Sequence, residues 1–406
     1  MSTSHYGDER RSNARPSQRT NSSSRPGTRT NTRPNPNSKK KQSKKKKMRR
    51  RILAVEIIVV VVLLLVLALW MKFGRANWDD SIDMSSIEVN ELDSETEEIL
   101  DNYTTLALFG VDNRSNGSYD SGNSDSMMLV SINNETKEVN VVSVMRDTYL
   151  EVTDDTYRKC NYAYNHGGPE EAIEMLNKNL DIKVSGYIAV DFYALAEVVD
   201  ALGGIEVEIT QAMVDATNPE TGGPALAGYI AEVQTVIGEV NEDEWYLDVG
   251  TQTLNGSQIV GYCRQRYCGG DDYGRTERQR EVVKKIVEKA VNANASTLNK
   301  IIDDVLPDVS TSLSASQVLS MATSAGSYTI EATSGFPFTL TTGTYGSKGS
   351  LVVPCTLSDN VSQLHKFLYD QDDYEPTDTV QSISSQIQSD TSTSADSATV
   401  TQTDDE

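Results

Sequence analysis

Apolar positions along the middle of the chain follow two different periods. Thr104–Asp112, Asp125–Asn133 and Val139–Met145 are short apolar or alternating runs rich in Val, Leu, Ile and Met, and they predict strands. The last two are joined by Asn-Glu-Thr-Lys, which predicts a hairpin. Pro169–Leu180 changes to the helical period and places Pro at a first turn, where its missing N–H costs nothing. Ser185–Phe192 reads as a strand, Tyr193–Gly204 as a helix closed by glycine, and Ile205–Ile209 as another strand. Leu254–Cys263 predicts a short helix. Thr276–Asn294 predicts a longer one whose apolar face is Val282, Val283, Ile286, Val287 and Ala290. Strands and helices in alternation predict an α/β fold, a mixed central sheet sandwiched by helices.

The flanks are less regular. Ser94–Leu100 predicts a short helix, and Met213–Tyr246 is acidic, punctuated by Gly and Pro, and fits no period. Weaker helical patterns follow at Leu298–Val305, Ala315–Ala325 and Val361–Tyr369, with strand-like segments across 327–356, so residues 295–376 are expected to form an extension, a small α/β subdomain. From Thr377 to the end the chain is rich in Ser, Thr, Gln and Asp and has no aromatic residue, a composition that predicts a disordered acidic tail over 377–406.

Before the globular region lies the longest apolar run. Ile52–Met71 is twenty residues whose only charge is Glu56. At helical rise it spans roughly 30 Å, the hydrocarbon thickness of a bilayer. The block Lys39–Arg51 precedes it, so a single transmembrane helix over 52–72 is expected. Residues 1–51 would then form a disordered cytoplasmic tail, and everything after the helix would lie outside the cell membrane. A cleaved signal peptide competes with this reading, but its apolar core would be shorter and nearer the start, and no small-residue cleavage site follows. Residues 73–102 form an acidic stalk, and a globular domain is expected over 103–294.

Charge sharpens this division. The net charge is −22, yet the first 51 residues hold 17 Lys and Arg against two acidic residues, so the remainder is far more acidic than the total suggests. No aromatic residue interleaves with the basic block, which favours anionic lipid over nucleic acid as its partner. Against the acidic background, Tyr262–Arg280 carries five arginines: Arg264, Arg266, Arg275, Arg278 and Arg280. Arg264 and Arg266 share a face if extended, and Arg275 and Arg278 share one if helical. Two such pairs suit a pyrophosphate, whose oxygens match the guanidinium fork; ordinary pairing with carboxylates is the alternative. Other charged residues gather at strand ends, where α/β folds place ligands: Asp112 with Arg114, Asp125, Arg146 with Asp147, and Asp271 with Asp272. Asp112 and Asp125 suit Mg2+ (Mn2+ being the alternative ion), although each alone also suits a turn. Lys159 can add a positive charge. Four cysteines fit no zinc signature, and three histidines leave little room for a histidine-based triad.

LFGVDNR, the Ser-Asp before MMLVSIN, VMRDTYLEV, KCNYAYNHGG, VDALGGIEV, LNGSQIVGYCRQR and DDYGRTERQR occur in that order. This series resembles the LytR–CpsA–Psr (LCP) family over about 103–294. The resemblance implies an extracytoplasmic enzyme of a Gram-positive bacterium. Such an enzyme transfers a glycopolymer, such as teichoic acid or capsule, from a polyprenyl-pyrophosphate carrier to peptidoglycan. It implies a Mg2+ role for Asp112 and Asp125, and pyrophosphate-site positions for Arg146, Arg264, Arg266, Arg275 and Gln279, with Arg278 beside Gln279. Asp147 or Asp272 is expected as the base, while Arg114, Lys159, Arg278 and Gln279 are expected to bind the pyrophosphate. Three departures from the resembled pattern stand out: Asn123 occupies a position where the family usually has Arg, Met145 one where it usually has Pro, and Cys160 one where it has an aliphatic residue. A membrane-tethered hydrolase and a non-enzymatic transcriptional attenuator are the alternatives. An outside location permits disulfides, and the pairs Cys263–Cys268 and Cys160–Cys268, near the same motifs, are the candidates.

Overall fold

The computed structural model describes residues 77–402 except 80, 113–118, 120–121, 269–270 and 306–307. The chain divides into residues 1–66 and 67–406, and every described residue belongs to the second unit. The expected cytoplasmic tail and transmembrane helix lie outside the described residues.

In chain order the elements are β1 (Asn77–Trp78), α1 (Ser94–Asp101), β2 (Tyr103–Asp112), β3 (Asn123–Asn133), β4 (Glu138–Val144), β5 (Tyr149–Thr153), β6 (Thr156–Lys159), α2 (Asn161–Leu180), β7 (Gly186–Val190), α3 (Phe192–Ala201) and β8 (Ile205–Ile209). They continue with α4 (Gln211–Asp215), α5 (Ala225–Ile237), β9 (Gly250–Leu254), α6 (Gly256–Arg264), α7 (Asp271–Val291), α8 (Ala295–Asp304) and β10 (Val309–Thr311). Last come α9 (Ala315–Ser324), β11 (Thr329–Phe336), β12 (Thr339–Thr344), β13 (Ser350–Pro354), α10 (Leu357–Tyr369), α11 (Asp378–Thr391) and β14 (Val400–Thr401).

A seven-stranded sheet runs β1-β10-β7-β2-β3-β4-β11. It is mixed: β2 pairs antiparallel with β3 and parallel with β7, and β11 pairs parallel with β4. Side chains alternate across a strand, so each central strand serves two layers. Ala107, Phe109, Met127, Leu129, Val142 and Val144 face one way, into a core completed by α2, α10 and α11. Leu106, Met128, Val139 and Val141 face the other way, toward Val283 of α7 and Val318 and Met321 of α9. The result is a mixed sheet between helical layers.

Three expectations change. The boundary at 294 cuts through the sheet, because β10 and β11 are strands of it, β11 at an edge. A parallel partner for β4 must come from a distant segment, which local patterning cannot show. The unassigned segment at 213–246 forms α4 and α5. In α5, Leu226, Ile230 and Val233 are buried at helical spacing between Pro224 and the left-handed Gly238. The tail expected to be disordered instead forms α11 and β14. Val380, Ile383 and Ile387 of α11 are buried in the main core. Thr377 caps the helix and also donates to Asp181 through its backbone N–H at 2.9 Å and its hydroxyl at 2.8 Å. Composition hides three well-spaced apolar residues among many polar ones.

Candidate active site

Two strands bring the first acidic residues together. Along β2 and β3 the register runs Gly110↔Ser126 and then Val111↔Ser124, so Asp125 is the extra residue of a β-bulge. Plain alternation would turn Asp125 to the face opposite Ser126. The bulge re-aims it, and both Asp112 and Asp125 line one cavity. Gly110 makes the close approach possible, because a Cβ there would sit 2.9 Å from the Cβ of Ser126.

The arginines come from α6 and the turn after it. A capping box between Asn255 and Gln258 starts α6. Glycine lets it pack tightly: a Cβ at Gly256 would meet the carbonyl oxygen of Ala196 at 2.3 Å. The helix ends at Arg264, and Gln265 turns to extended backbone. Gln265 is fully buried, donates to the carbonyl of Met213 at 2.9 Å, and receives the Arg278 guanidinium on its own carbonyl. With Gln265 pinned inward, Arg264 and Arg266 both reach the cavity. The shared face comes from a helix end followed by one extended residue rather than from a strand. On α7, Arg275 and Gln279 are one turn apart and line the same cavity, with Val282, Val283 and Ile286 continuing the row.

The cavity measures about 370 Å³. Its walls are apolar, from Leu108, Met128, Ile188, Leu195, Val198 and Val283 among others, and its charged and amide residues are Asp112, Asp125, Asp191, Arg264, Arg266, Arg275 and Gln279. Charges interlock around these. Arg146 donates to Asp125 at 2.6 Å, and Arg266 lies 3.9 Å from the other oxygen of that carboxylate. Arg264 is 4.0 Å from Asp112 and 3.1 Å from Glu232, and it stacks over Phe192 and Tyr229 at 4.7 and 5.6 Å. Lys159 pairs with Asp147 at 3.1 Å, and Asp147 lies 3.9 Å from Arg146. The amide oxygen of Gln279 is buried without a hydrogen-bond donor, while its nitrogen donates to the Cys263 carbonyl at 3.3 Å.

The structure thus brings Asp112, Asp125, Arg146, Asp147, Lys159, Arg264, Arg266, Arg275 and Gln279 into one network or cavity lining. Arg278 is placed differently. Buried, it clamps Gln265 and sits 5.9 Å from the Tyr262 ring, so it supports the arginine turn from behind rather than lining the cavity. Arg114 and the side chain of Asp272 lie outside the described residues. Neither expected disulfide is formed: Cys160, Cys263, Cys268 and Cys355 are thiols. Cys160 is turned to the carbonyls of Met145 and Arg146 at 3.2 and 3.3 Å, and Cys263 is buried in a cluster with Ile259 and Val282. Burial pushes both thiols up to about 12, so neither is a ready nucleophile. The sequence reading missed Phe192, Tyr229 and Glu232. The last two sit on α5, whose apolar spacing was a legible signal within an otherwise acidic segment.

As a metal site the donor set is two carboxylates. Among the described residues, no group of three or more His, Cys, Asp or Glu could hold an ion. All-oxygen donors on neighbouring strands suit Mg2+, which keeps water and takes the remaining oxygens from a phosphate ligand.

The described residues thus form an α/β fold whose central sheet borders an apolar cavity lined also by arginines and two neighbouring aspartates. The LytR_cpsA_psr family model matches residues 79–350, more than half of the chain, and the chain belongs to that family. It is 29% identical over 213 residues to the polyisoprenyl-teichoic acid–peptidoglycan teichoic acid transferase TagU of Enterococcus faecalis, covering 52% of this chain and 61% of that protein. It is 33% identical over 222 residues to biofilm regulatory protein A of Streptococcus mutans, covering 52% and 50%. The chain therefore spans about half to three fifths of the length of these two relatives. Among solved structures, protein gbs0355 of Streptococcus agalactiae superposes with a TM-score of 0.55 at 26% identity, over 71% of this chain and 93% of that one. TagV of B. subtilis shares the fold with a TM-score of 0.52 at 22% identity, over 68% and 99%.

Proposed function

We propose that the chain is a membrane-anchored phosphotransferase that attaches a polyprenyl-pyrophosphate-linked glycopolymer to peptidoglycan at the outer membrane face. The observation that carries this reading is the cavity itself. Its apolar depth fits a prenyl chain, and its charged residues fit a pyrophosphate. Family membership and the named activity of TagU support the glycopolymer and the acceptor. The apolar run Ile52–Met71 supports a single-pass anchor with the catalytic domain outside the cell, where carrier and acceptor both lie.

The chemistry follows from charge. A hydroxyl oxygen of the peptidoglycan glycan attacks the sugar-linked phosphorus. The bond from that phosphorus to the bridging oxygen breaks, and polyprenyl phosphate leaves with the electron pair. Arg146, Arg264, Arg266 and Arg275 stabilise the negative charge that develops on the phosphoryl oxygens. Asp112 and Asp125 would hold Mg2+, which when bound supplies further charge neutralisation at those oxygens. Asp147, paired with Lys159 and near Arg146, and Asp272 are the two candidates to accept the hydroxyl proton. Gln279 offers its buried amide oxygen as an acceptor on the same lining.

Labelled lipid-linked glycan is supplied to the full chain with and without peptidoglycan oligomer. Polymer-linked muropeptide in the first arm supports transfer. Free phosphorylated glycan in both arms and no linked product would make the protein a hydrolase instead. Omitting Mg2+, or replacing it by Mn2+, tests the metal.

A further inference from the structure

The turn Met145–Thr148 carries Arg146 and Asp147, and it is held from outside the strand that leads into it. Within the turn, the Thr148 N–H and hydroxyl donate to the Met145 carbonyl at 2.9 and 2.6 Å. On one side the Met145 N–H donates to Phe336, and the Val352 N–H donates to Asp147 at 2.9 Å. Thr148 also forms a parallel bridge with Val352. These contacts come from β11 and β13, and β13 belongs to the three-stranded sheet β13-β12-β14.

The last part of the chain closes that sheet. β14 pairs with β12, and Val400 packs with Met145, Leu340, Val352 and Tyr273 in one small apolar cluster. Tyr273 lies in the first turn of α7, two residues before Arg275, so the cluster touches both arginine-bearing segments. The Gln402 side chain donates to the Pro337 carbonyl at 2.7 Å and approaches the Met145 sulfur at 3.9 Å. Immediately after the turn, the Tyr149 hydroxyl donates to Asp390 of α11 at 2.6 Å. Lys348 donates to the same Asp390 oxygen at 2.7 Å and to the Tyr149 oxygen at 2.8 Å. The Lys348 and Tyr149 bonds hold the Asp390 carboxyl below its ordinary range, so it is ionised in this triangle at neutral pH.

We infer that residues 390–402 are a positioning brace for the Arg146–Asp147 turn, with Asp390 and Gln402 as its anchoring side chains. Met145 is buried, packed against Val400 and approached by Gln402, so tertiary contact from the end of the chain restrains the backbone that carries Arg146. Among the described residues, Asp390 is hydrogen-bonded to Tyr149, Lys348 and Gln386 and Gln402 to Phe338, Pro337 and Met145, none of which lines the cavity, so the two position rather than catalyse.

The inference rests on the transferase reading, and the test separates the two. The full-length chain is compared with Asp390→Ala, Asp390→Asn, Gln402→Ala and Ser385→Ala, the last being an exposed control on α11. Amide hydrogen exchange is read on a peptide spanning 145–149, alongside transfer kinetics with lipid-linked glycan and peptidoglycan oligomer. In Asp390→Ala and Gln402→Ala, exchange in that peptide should rise. The kcat should fall by about tenfold or more, as small misplacements of catalytic groups do, with the donor KM within about twofold. Asp390→Asn keeps an acceptor for Tyr149 and should recover most of the rate, and Ser385→Ala should match wild type. Unchanged exchange in both alanine variants, or raised exchange with kcat intact, overturns the brace. If Asp390→Ala unfolds α11, Gln402→Ala, which lies beyond the helix, decides the matter. A wild-type chain that transfers nothing defeats the reaction instead, and the exchange result then decides on its own whether the tail restrains the turn.

Discussion

The two faces of the central sheet are built from the same strands and have opposite fates. On one face the fully buried Phe109 ring lies 5.0 and 6.3 Å from those of Tyr164 and Tyr187, in a core that α2, α10 and α11 complete. On the other, Leu108 and Met128 look into a cavity of about 370 Å³ under α3, α6 and α7. Neighbouring residues of one strand therefore carry different burdens. The filled face carries more of the packing that holds the fold; the open face forgoes close packing and keeps a space beside charged side chains.

The largest effects should separate the faces by stability. Phe109→Ala leaves a hole among fully buried neighbours and should cost about 3–5 kcal/mol in urea unfolding. Val283→Ala, beside an existing space, removes two carbons and should cost about 1.5 kcal/mol or less. Equal losses would mean that the cavity is closed in solution.

Next come changes that spare the fold and affect only the open face. Arg264→Ala and Arg266→Ala should each lower transfer by a factor of about 10²–10³, as loss of one charge-stabilising donor does, with the melting temperature near wild type. Full polymer transfer by both purified variants would remove these residues from the mechanism. Overpacking gives a third contrast. Ala172→Phe inserts a ring into the filled face and should cost about 1–3 kcal/mol. Val283→Phe projects into the cavity and should leave stability within about 1 kcal/mol while raising the donor KM about tenfold, because the lost volume is binding space. A Val283→Phe enzyme with unchanged donor KM would place the prenyl chain elsewhere.

The difference between the faces also explains what the sequence could tell. Short apolar runs in Thr104–Asp112 and Asp125–Asn133 made the strands legible, and charged residues at their ends marked the candidate site. That Asp125 turns toward the cavity was not legible, because a bulge is a relation between two strands. The role of Arg278 was hidden for the same reason: beside Gln279 it reads as a ligand, but one face of α7 looks into the cavity and the next clamps Gln265. The tail was misread because composition averages over Val380, Ile383 and Ile387, whose spacing alone carries the helix. Local period is written in the chain; pairing across distance is not.

The smallest expected effect is a pH dependence of opposite sign on the two faces. His365, on α10 of the filled face, is stacked on Tyr374 at 3.5 Å, and burial lowers its pKa. The unfolded chain takes up that proton below its ordinary value of 6.5 while the native state resists, so this group removes stability as pH falls below that value. Glu197, on α3 of the open face, behaves the other way. Burial, then the charges of Asp308 and Asp304, push it up to about 7 from an ordinary 4.5, and one of its oxygens is buried without a hydrogen-bond donor. Between those two values the native state keeps a proton that the unfolded chain has lost, so Glu197 removes stability as pH rises through that window. Melting temperature followed from acid to neutral pH should therefore show a decline toward neutrality that Glu197→Gln flattens and His365→Gln does not. Because α3 also supplies Leu195 and Val198 to the cavity wall, the same titration should loosen the open face first. Exchange of α3 amides that rises toward neutral pH in wild type but not in Glu197→Gln would place the change there, and an identical slope in both proteins would assign it to other groups.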